Sequence, residues 1–169
     1  EYFETDSLIC PINYYGETKY KGEEKVREYL EKFFIVRISW VFGINGNNFI
    51  KTMLRLGKEH DEINVVCDQI GSPTYTADLA PLLCDMVVTE KYGIYHATNE
   101  GLCSWAEFAE KIFEISELTV KVNHISSSDY PSKAKRPSNS RLSKTSLESN
   151  GFSRLPHWEN AVKRYISSL

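Results

Sequence analysis

The sequence is poor in the residues that mark several large classes of protein. Its 169 residues include only 4 cysteines and 6 prolines, and no two cysteines form a C-x-x-C pair. Scattered cysteines argue against a disulfide framework and a cysteine-ligated zinc site, and they fit reduced thiols in a cytosolic protein. The 4 histidines are equally dispersed, so the sequence predicts no particular metal ligands. We therefore predict a cytoplasmic protein.

Long apolar runs and an excess of one charge are also missing. No stretch is apolar for long enough to cross a bilayer, and the first residues do not resemble a signal peptide. The net charge of -3 gives no basic field of the kind that nucleic-acid binding requires. Basic residues gather locally at Lys133, Lys135, Arg136 and Arg141, where they suit one phosphate-bearing ligand. We predict neither a nucleic-acid nor a membrane partner.

What remains is the composition of an ordinary globular chain. Hydrophobic residues make up 41% of the sequence and charged residues 25%, which is typical of a folded domain rather than a disordered one. The length is sufficient for one domain with a real core. The chain starts abruptly at Glu1, without an initiator methionine, so we expect it to be truncated.

The first third of the sequence has the pattern of a parallel α/β protein. A charged stretch over 13–31 with an intermittent apolar stripe predicts a half-buried helix. The nearly continuous β-branched and aromatic run 33–43 predicts one strand that is buried on both faces, as in a parallel sheet. A helix is predicted over 49–58 and a strand over 63–67. The polar loop 68–74 is longer than a simple connection needs.

The rest of the chain alternates short helices and strands. Thr76 is predicted to be the N-cap of a helix that ends near Val88, and the Ser104–Glu107 capping-box pattern predicts the start of another helix. Further elements are predicted as strands over 93–97 and 120–125 and helices over 144–149 and 156–167. We predict an α/β fold, namely the C-terminal part of a doubly wound, Rossmann-type parallel sheet plus a smaller α/β substrate-binding lobe. The first part comprises residues 1–43, and residues 44–169 mainly form the lobe, with short returns to the sheet.

Tyr15 and Lys19 form the stretch with the clearest chemical meaning. Side chains four residues apart lie on the same helix face, so the two can present a phenol and an ammonium group to one site. A nearby cation favours the ionised form of a phenol, which suits a general acid. The alternative is a chance match, because a bare Y-x-x-x-K pattern occurs in many soluble helices. The context Pro11 to Glu24 favours the first interpretation, since it resembles the active-site helix of the extended short-chain dehydrogenase/reductase superfamily.

Four later blocks make the resemblance more specific. They are VRISWVFG from Val36, GNNFIKTMLR from Gly46, VCDQIGSPTY from Val66 and RPSNSRL from Arg136. In this order, they resemble the dTDP-4-dehydrorhamnose reductase family over nearly the whole chain. The resemblance implies reduction by NADPH or NADH of the C4 ketone of dTDP-4-dehydro-6-deoxy-L-mannose to dTDP-L-rhamnose. It also allows a homodimer of the parent enzyme and a divalent cation, Mg²⁺, at a subunit interface.

The resemblance implies a role for individual residues. Tyr15 matches the proton donor and Lys19 its partner, and both, with Ser39, match cofactor-binding positions. The residues that match the sugar-nucleotide pocket are Trp40, Asn48, Phe49, Gln69 and Arg136. Some alternatives stay open: Trp40 as core packing, Arg136 as part of a solvated loop, and Arg37 as a paired core charge.

Two features of the reductase pattern are missing from the sequence. There is no glycine-rich G-x-G-x-x-G turn for a dinucleotide phosphate, and the serine or threonine that the family carries on an earlier strand is absent. We therefore expect that these 169 residues do not turn over alone. The alternative functions are a sugar-nucleotide epimerase or dehydratase of the same superfamily, and a non-catalytic regulatory relative that binds a partner enzyme.

Overall fold

The computed structural model describes residues 1–6, 10–131 and 135–169. Its helices are α1 (Tyr14–Tyr29), α2 (Phe49–Glu59), α3 (Thr76–Val87), α4 (Trp105–Ile115), α5 (Thr145–Ser149) and α6 (Trp158–Ile166). Its strands are β1 (Phe34–Arg37), β2 (Val41–Phe42), β3 (Glu62–Val66), β4 (Ile70–Gly71), β5 (Thr74–Tyr75), β6 (Gly93–His96), β7 (Asn99–Glu100), β8 (Cys103–Ser104), β9 (Lys121–Ile125), β10 (Asn139–Ser140) and β11 (Leu155–His157).

Parallel strand pairs dominate the described fold. β1 pairs with β6, β2 with β5, β3 with β9, β10 with β4, and β11 with β7, all in parallel. Only β4 and β8 pair in the antiparallel sense among the described residues. Parallel pairing requires crossover connections, which here contain helices. The predicted α/β class with parallel sheets is confirmed.

The predicted single strand over 33–43 is wrong, because the run is two strands with a turn between them. β1 ends at Arg37 and β2 begins at Val41. Between them Trp40 has a φ of 48°, in the left-handed region that non-glycine residues rarely adopt. Thr74 stabilises this turn, since its backbone N–H donates to the Trp40 carbonyl at 3.2 Å and its Oγ1 donates to the Ser39 carbonyl at 2.7 Å. Because of this turn, β1 pairs with β6 while β2 pairs with β5.

The predicted N-cap at Thr76 is also wrong. Tyr75 occupies that position, with extended backbone and no capping hydrogen bond from its side chain. β5 runs directly into α3, so the helix begins one residue earlier than a side-chain cap would place it. Asp78 lies in the first turn. Its carboxylate accepts hydrogen bonds from Asn99 and Arg164, both at 2.7 Å.

The helices α2 and α4 agree closely with the sequence pattern. α2 buries Ile50 and Met53 on its apolar face. The capping box at the start of α4 is complete: Ser104 Oγ accepts from the Glu107 N–H at 3.1 Å, and the Ser104 N–H donates to the Glu107 carboxylate at 2.6 Å. Such reciprocal bonds satisfy donors that a helix start otherwise leaves unpaired.

In the described part of the chain, buried apolar side chains form two clusters. The first packs α2, α4 and α6 together through residues such as Ile50, Phe108 and Tyr165. The second joins α3, β6 and α5 through residues such as Met86 and Leu147, and β1 packs against it. β2 belongs to the first cluster through Phe42, whereas β1 packs against the second. The turn at Ser39 and Trp40 lies where the chain passes between them.

Candidate functional site

Tyr15 and Lys19 lie on one face of α1, as their spacing predicts. Asn13 starts the helix, and its side-chain oxygen accepts the Gly16 N–H at 2.8 Å. The Lys19 ammonium lies 6.0 Å from the centre of the Tyr15 ring, within the range of a cation–π interaction. The Tyr15 side chain is 71% exposed. A ligand can therefore reach the phenol and the ammonium group together.

Ser39 and Trp40 lie just beyond the carboxyl end of β1. The Ser39 hydroxyl donates to the Ser72 carbonyl at 2.7 Å. The Trp40 indole stacks on Trp105 with ring centres 3.8 Å apart and planes 15° apart. It also lies over Gly71, where a Cβ atom would be 3.0 Å from the ring. The indole is thus held between an aromatic ring and a bare stretch of backbone.

Phe49 extends this aromatic group. Its ring centre lies 4.7 Å from that of Trp105 and 5.3 Å from that of Phe108. Trp40, Phe49 and Trp105 are all half-buried, so the group combines firm packing with an accessible face. Half-exposed aromatic rings offer a flat apolar surface on which a sugar or a base can pack.

Both polar atoms of the Asn48 side chain make hydrogen bonds within the fold. Its Oδ1 accepts the Lys51 N–H at 3.0 Å and caps α2. Its Nδ2 donates to the Gly43 carbonyl at 3.0 Å and to the Tyr165 hydroxyl at 2.8 Å. Asn48 therefore fixes the start of α2, and with it Phe49, which follows directly.

Gln69 and the segment after Arg136 meet at the β4–β10 pair. Gln69 is buried and immediately precedes β4. The Ile70 N–H donates to the Ser138 carbonyl at 2.9 Å, which brings the chain just after Arg136 against β4. Arg136 itself is exposed. Lys133, the first residue of the predicted basic group, lies outside the described residues.

The same segment also reaches the start of α1. Asn13 Nδ2 donates to the Lys135 carbonyl at 2.8 Å. One asparagine thus caps the helix that carries Tyr15 and holds the residue before Arg136. The structure brings Trp40, Phe49 and the region of Gln69 together, and it ties the Arg136 segment to both Gln69 and α1.

Within 1–6, 10–131 and 135–169, no group of three or more His, Cys, Asp or Glu side chains is placed to hold a metal ion. None of the described helices combines the length and the apolar character that crossing a bilayer demands.

Comparison with known proteins then identifies the family. The model of the RmlD substrate binding domain matches residues 1–169, the whole chain. The chain belongs to this family.

Relatives of this RmlD substrate binding domain include dTDP-4-dehydrorhamnose reductases and a polysaccharide biosynthesis protein. A dTDP-4-dehydrorhamnose reductase of Aggregatibacter actinomycetemcomitans is 43% identical over 96% of this chain and 59% of its own length. The spore coat polysaccharide biosynthesis protein SpsK of Bacillus subtilis is 41% identical over 97% of this chain and 57% of its own. The crystal structure of dTDP-4-dehydrorhamnose reductase from Bacillus anthracis, in complex with NADP, superposes with a TM-score of 0.93 at 47% identity, over 98% of this chain and 58% of that one.

The chain therefore spans somewhat under three fifths of the length of these relatives. The identified family and the Bacillus anthracis structure agree with the resemblance and with the fold class drawn from the sequence. The matched region makes up 58% of that structure's chain, so the similarity is one of this domain.

Two parts of this RmlD substrate binding domain were not singled out from its sequence. Trp105 lies within the predicted capping-box pattern and was given no role of its own, yet its ring supports Trp40. His96 was treated as one of several dispersed histidines, yet it is 1% exposed and contacts Arg37 and Ser143. The capping box beside Trp105 was a usable signal, whereas nothing local to His96 marks its partners.

Proposed function

We propose that this chain supplies the proton donor and the sugar-nucleotide pocket of a dTDP-4-dehydrorhamnose reductase. The reaction is the NAD(P)H-dependent reduction of the C4 ketone of dTDP-4-dehydro-6-deoxy-L-mannose to dTDP-L-rhamnose. The observation that carries the proposal is the accessible Tyr15–Lys19 pair on α1, with the ammonium 6.0 Å from the phenol ring. The names of the most similar relatives support it.

Tyr15 is proposed to act as the general acid. Reduction of a ketone builds negative charge on its oxygen, and a phenol that is hydrogen-bonded there both stabilises the charge and supplies the proton. Lys19 provides three donors and a positive charge beside the phenol. NADPH or NADH, when bound, supplies the hydride. The exposed hydroxyl and ammonium groups of Tyr15 and Lys19 fit its nicotinamide ribose, and Ser39 is a third proposed contact.

The proposed sugar-nucleotide pocket follows the geometry around Trp40. Trp40 and Phe49 offer half-exposed rings, and Gln69 immediately precedes β4, whose Gly71 lies against the Trp40 indole. Arg136 is exposed and suits a phosphate, because a guanidinium group binds phosphate oxygens through paired donors. Asn48 is proposed to contribute by holding Phe49 in place.

The remaining expectations are proposals of the same kind. The division into 1–43 and 44–169 is proposed from the resemblance, and the cluster in which β1 packs with α3, β6 and α5 supports the expected returns to the sheet. A cytoplasmic location is proposed from the scattered cysteines, and a homodimer is proposed from the resemblance. The Mg²⁺ expected at a subunit interface has no support in the described part of this single chain.

The test is an assay of the full-length gene product with the dTDP-linked ketone and NADPH. Wild-type protein should oxidise one NADPH for each ketone that it reduces. Tyr15→Phe should lower kcat about 10²–10⁴-fold, or about 3–5 kcal/mol of barrier, because the general acid is lost. Tyr14→Phe is the matched control, since the neighbouring Tyr14 is also exposed. It should keep the wild-type rate.

The outcomes separate the alternatives. If Tyr15→Phe keeps most of its turnover, the proposed role of Tyr15 is wrong. If the protein converts the sugar without net oxidation of NADPH, an epimerase or dehydratase is indicated. Co-purification with an unrelated enzyme and no ketone reduction would indicate the regulatory function.

A further inference from the structure

The helix that carries Tyr15 and Lys19 has little apolar anchorage in the described chain. α1 contributes no fully buried side chain, in contrast to the other long helices. Among the described residues, side-chain hydrogen bonds join it to the rest of the molecule at two places: Asn13 to the Lys135 carbonyl, and Glu23 to Arg37. Of these two contacts, only the second is made by a residue within the helix itself, so it is the one that bears on the rotation of α1 about its axis.

The Glu23–Arg37 contact is a two-point ion pair. Arg37 Nε donates to one carboxylate oxygen of Glu23 at 2.8 Å, and Nη2 donates to the other at 2.6 Å. The Glu23 and Arg37 side chains are only 18% and 21% exposed, and the hydrogen bond that Arg37 donates to Glu23 raises the pKa of Arg37. A bidentate pair fixes orientation as well as distance, because both donors must meet both oxygens at once.

The guanidinium group is also held from its other side. Arg37 Nη1 lies 3.4 Å from His96 Nε2, and His96 Nδ1 lies 3.0 Å from the Ser143 carbonyl. A carbonyl oxygen only accepts, so Nδ1 carries the proton and Nε2 is free to accept from Arg37. His96 is 1% exposed on β6. Arg37 is thus fixed by a buried residue on the neighbouring strand.

The spacing along both elements connects this pair to the proposed site. Tyr15, Lys19 and Glu23 are separated by four residues each, so they follow one face of α1. Arg37 is the last residue of β1 and comes directly before the turn that contains Ser39 and Trp40. A contact between Glu23 and Arg37 therefore joins the face that bears Tyr15 and Lys19 to the end of the strand that bears the other site residues.

We propose that Glu23 and Arg37 are positioning residues, which set the rotation of α1 on β1 so that Tyr15 and Lys19 face the carboxyl end of β1. This inference rests on the function proposed above. The pair does not touch the reacting atoms. It acts by holding the phenol where the ketone oxygen is bound, and small misplacements of a catalytic group are costly.

The experiment uses the full-length protein with Glu23→Gln and Arg37→Lys. Each variant keeps a polar side chain but loses the two-point ion pair, so kcat should fall about 10²-fold, while KM for the dTDP-sugar stays within about twofold. Glu28→Gln is the matched control, because it removes the exposed Lys25–Glu28 pair on the same helix. It should leave both kcat and KM within about twofold of wild type.

Hydrogen exchange on the same proteins separates this inference from the function on which it rests. Amides of α1 should exchange faster in Glu23→Gln and Arg37→Lys than in Glu28→Gln, with α4 unchanged. If wild type reduces no ketone, the proposed function fails, and the exchange data still test the anchoring of α1.

Two results would overturn the inference. One is a kcat in both variants equal to that of Glu28→Gln. The other is a parallel loss of kcat, substrate binding and melting temperature, which indicates general destabilisation. If Glu23→Gln does not fold, Arg37→Lys decides, because it preserves the positive charge beside Glu23.

Discussion

Helices α1 and α2 begin alike but are held in different ways. Each starts after an asparagine that accepts a backbone N–H three residues later, at 2.8 Å for Asn13 and 3.0 Å for Asn48. α2 then buries Ile50 and Met53, whereas α1 buries no side chain fully and relies on polar contacts. A cap shows where a helix begins. What holds the helix in place depends on partners elsewhere in the chain.

The largest expected difference between the two helices is at Asn48. Asn48→Ala should lower the free energy of unfolding by about 2–3 kcal/mol, because it removes the cap and leaves the buried Tyr165 hydroxyl without one hydrogen-bond partner. Urea unfolding followed by tryptophan fluorescence measures this loss. The control is Asn47→Ala, since Asn47 is exposed and should change the stability by less than about 0.5 kcal/mol. Equal effects at both positions would contradict the structural role of Asn48.

The stability of the fold around Arg37, the partner of Glu23 on α1, should depend on pH because His96 contacts Arg37. Burial lowers the pKa of His96, and the nearby positive charge of Arg37 lowers it further. The negative charges of Glu4 and Glu23 act in the opposite direction, but the pKa remains below its ordinary value. As the pH falls below the ordinary value of about 6.5, the unfolded chain takes up a proton that the folded chain does not. The free energy of unfolding therefore decreases as the pH falls below this value, because protonation of His96 favours the unfolded chain.

His96→Asn tests this directly. The asparagine amide can still donate to the Ser143 carbonyl but does not titrate, so the variant should lose stability less steeply than wild type as the pH falls. The difference in slope can reach about 1.4 kcal/mol per pH unit for one proton. His60→Asn, at an exposed position, should keep the wild-type slope. An unchanged slope in His96→Asn would show that His96 does not contribute.

The smallest expected effect is at Asn13. Asn13→Ala should lower stability by about 1 kcal/mol, the typical value of an exposed cap, because water can replace the lost hydrogen bonds there. The same urea experiment applies. A loss as large as that of Asn48→Ala would mean that α1 is anchored far more firmly than its exposure suggests, and would remove the contrast between the helices.

The parts of the fold that local patterns control were predictable from the sequence. The apolar spacing of α2 and the Ser104–Glu107 capping box identified two helices within about a residue. The break at Trp40 was not predictable, because it depends on Thr74, which is distant in sequence, while the run 33–43 is mostly β-branched and aromatic and contains no glycine or proline before Gly43. Long-range partners, and not local propensity, decided where that strand ends.

The candidate site shows the same division. The shared face of Tyr15 and Lys19 follows from helix geometry alone. Arg37 was left open between a paired charge and a functional one. Several glutamates of α1 were available as partners, and only the folded structure shows that Glu23 is the one that pairs with Arg37. Asn48 was assigned to the pocket by resemblance, although its place directly before an apolar helix already indicated a cap.

Gly71 makes the choice of residue at one position depend on a ring at another. A methyl group there would lie 3.0 Å from the Trp40 indole and 3.1 Å from Ser140 Cβ, so both neighbours must shift by a few tenths of an ångström. Alanine at position 71 would therefore move the indole without altering any residue proposed to meet the substrate. In a redesign of this pocket, the residues at positions 40 and 71 should therefore be chosen together, because each limits the size of the other.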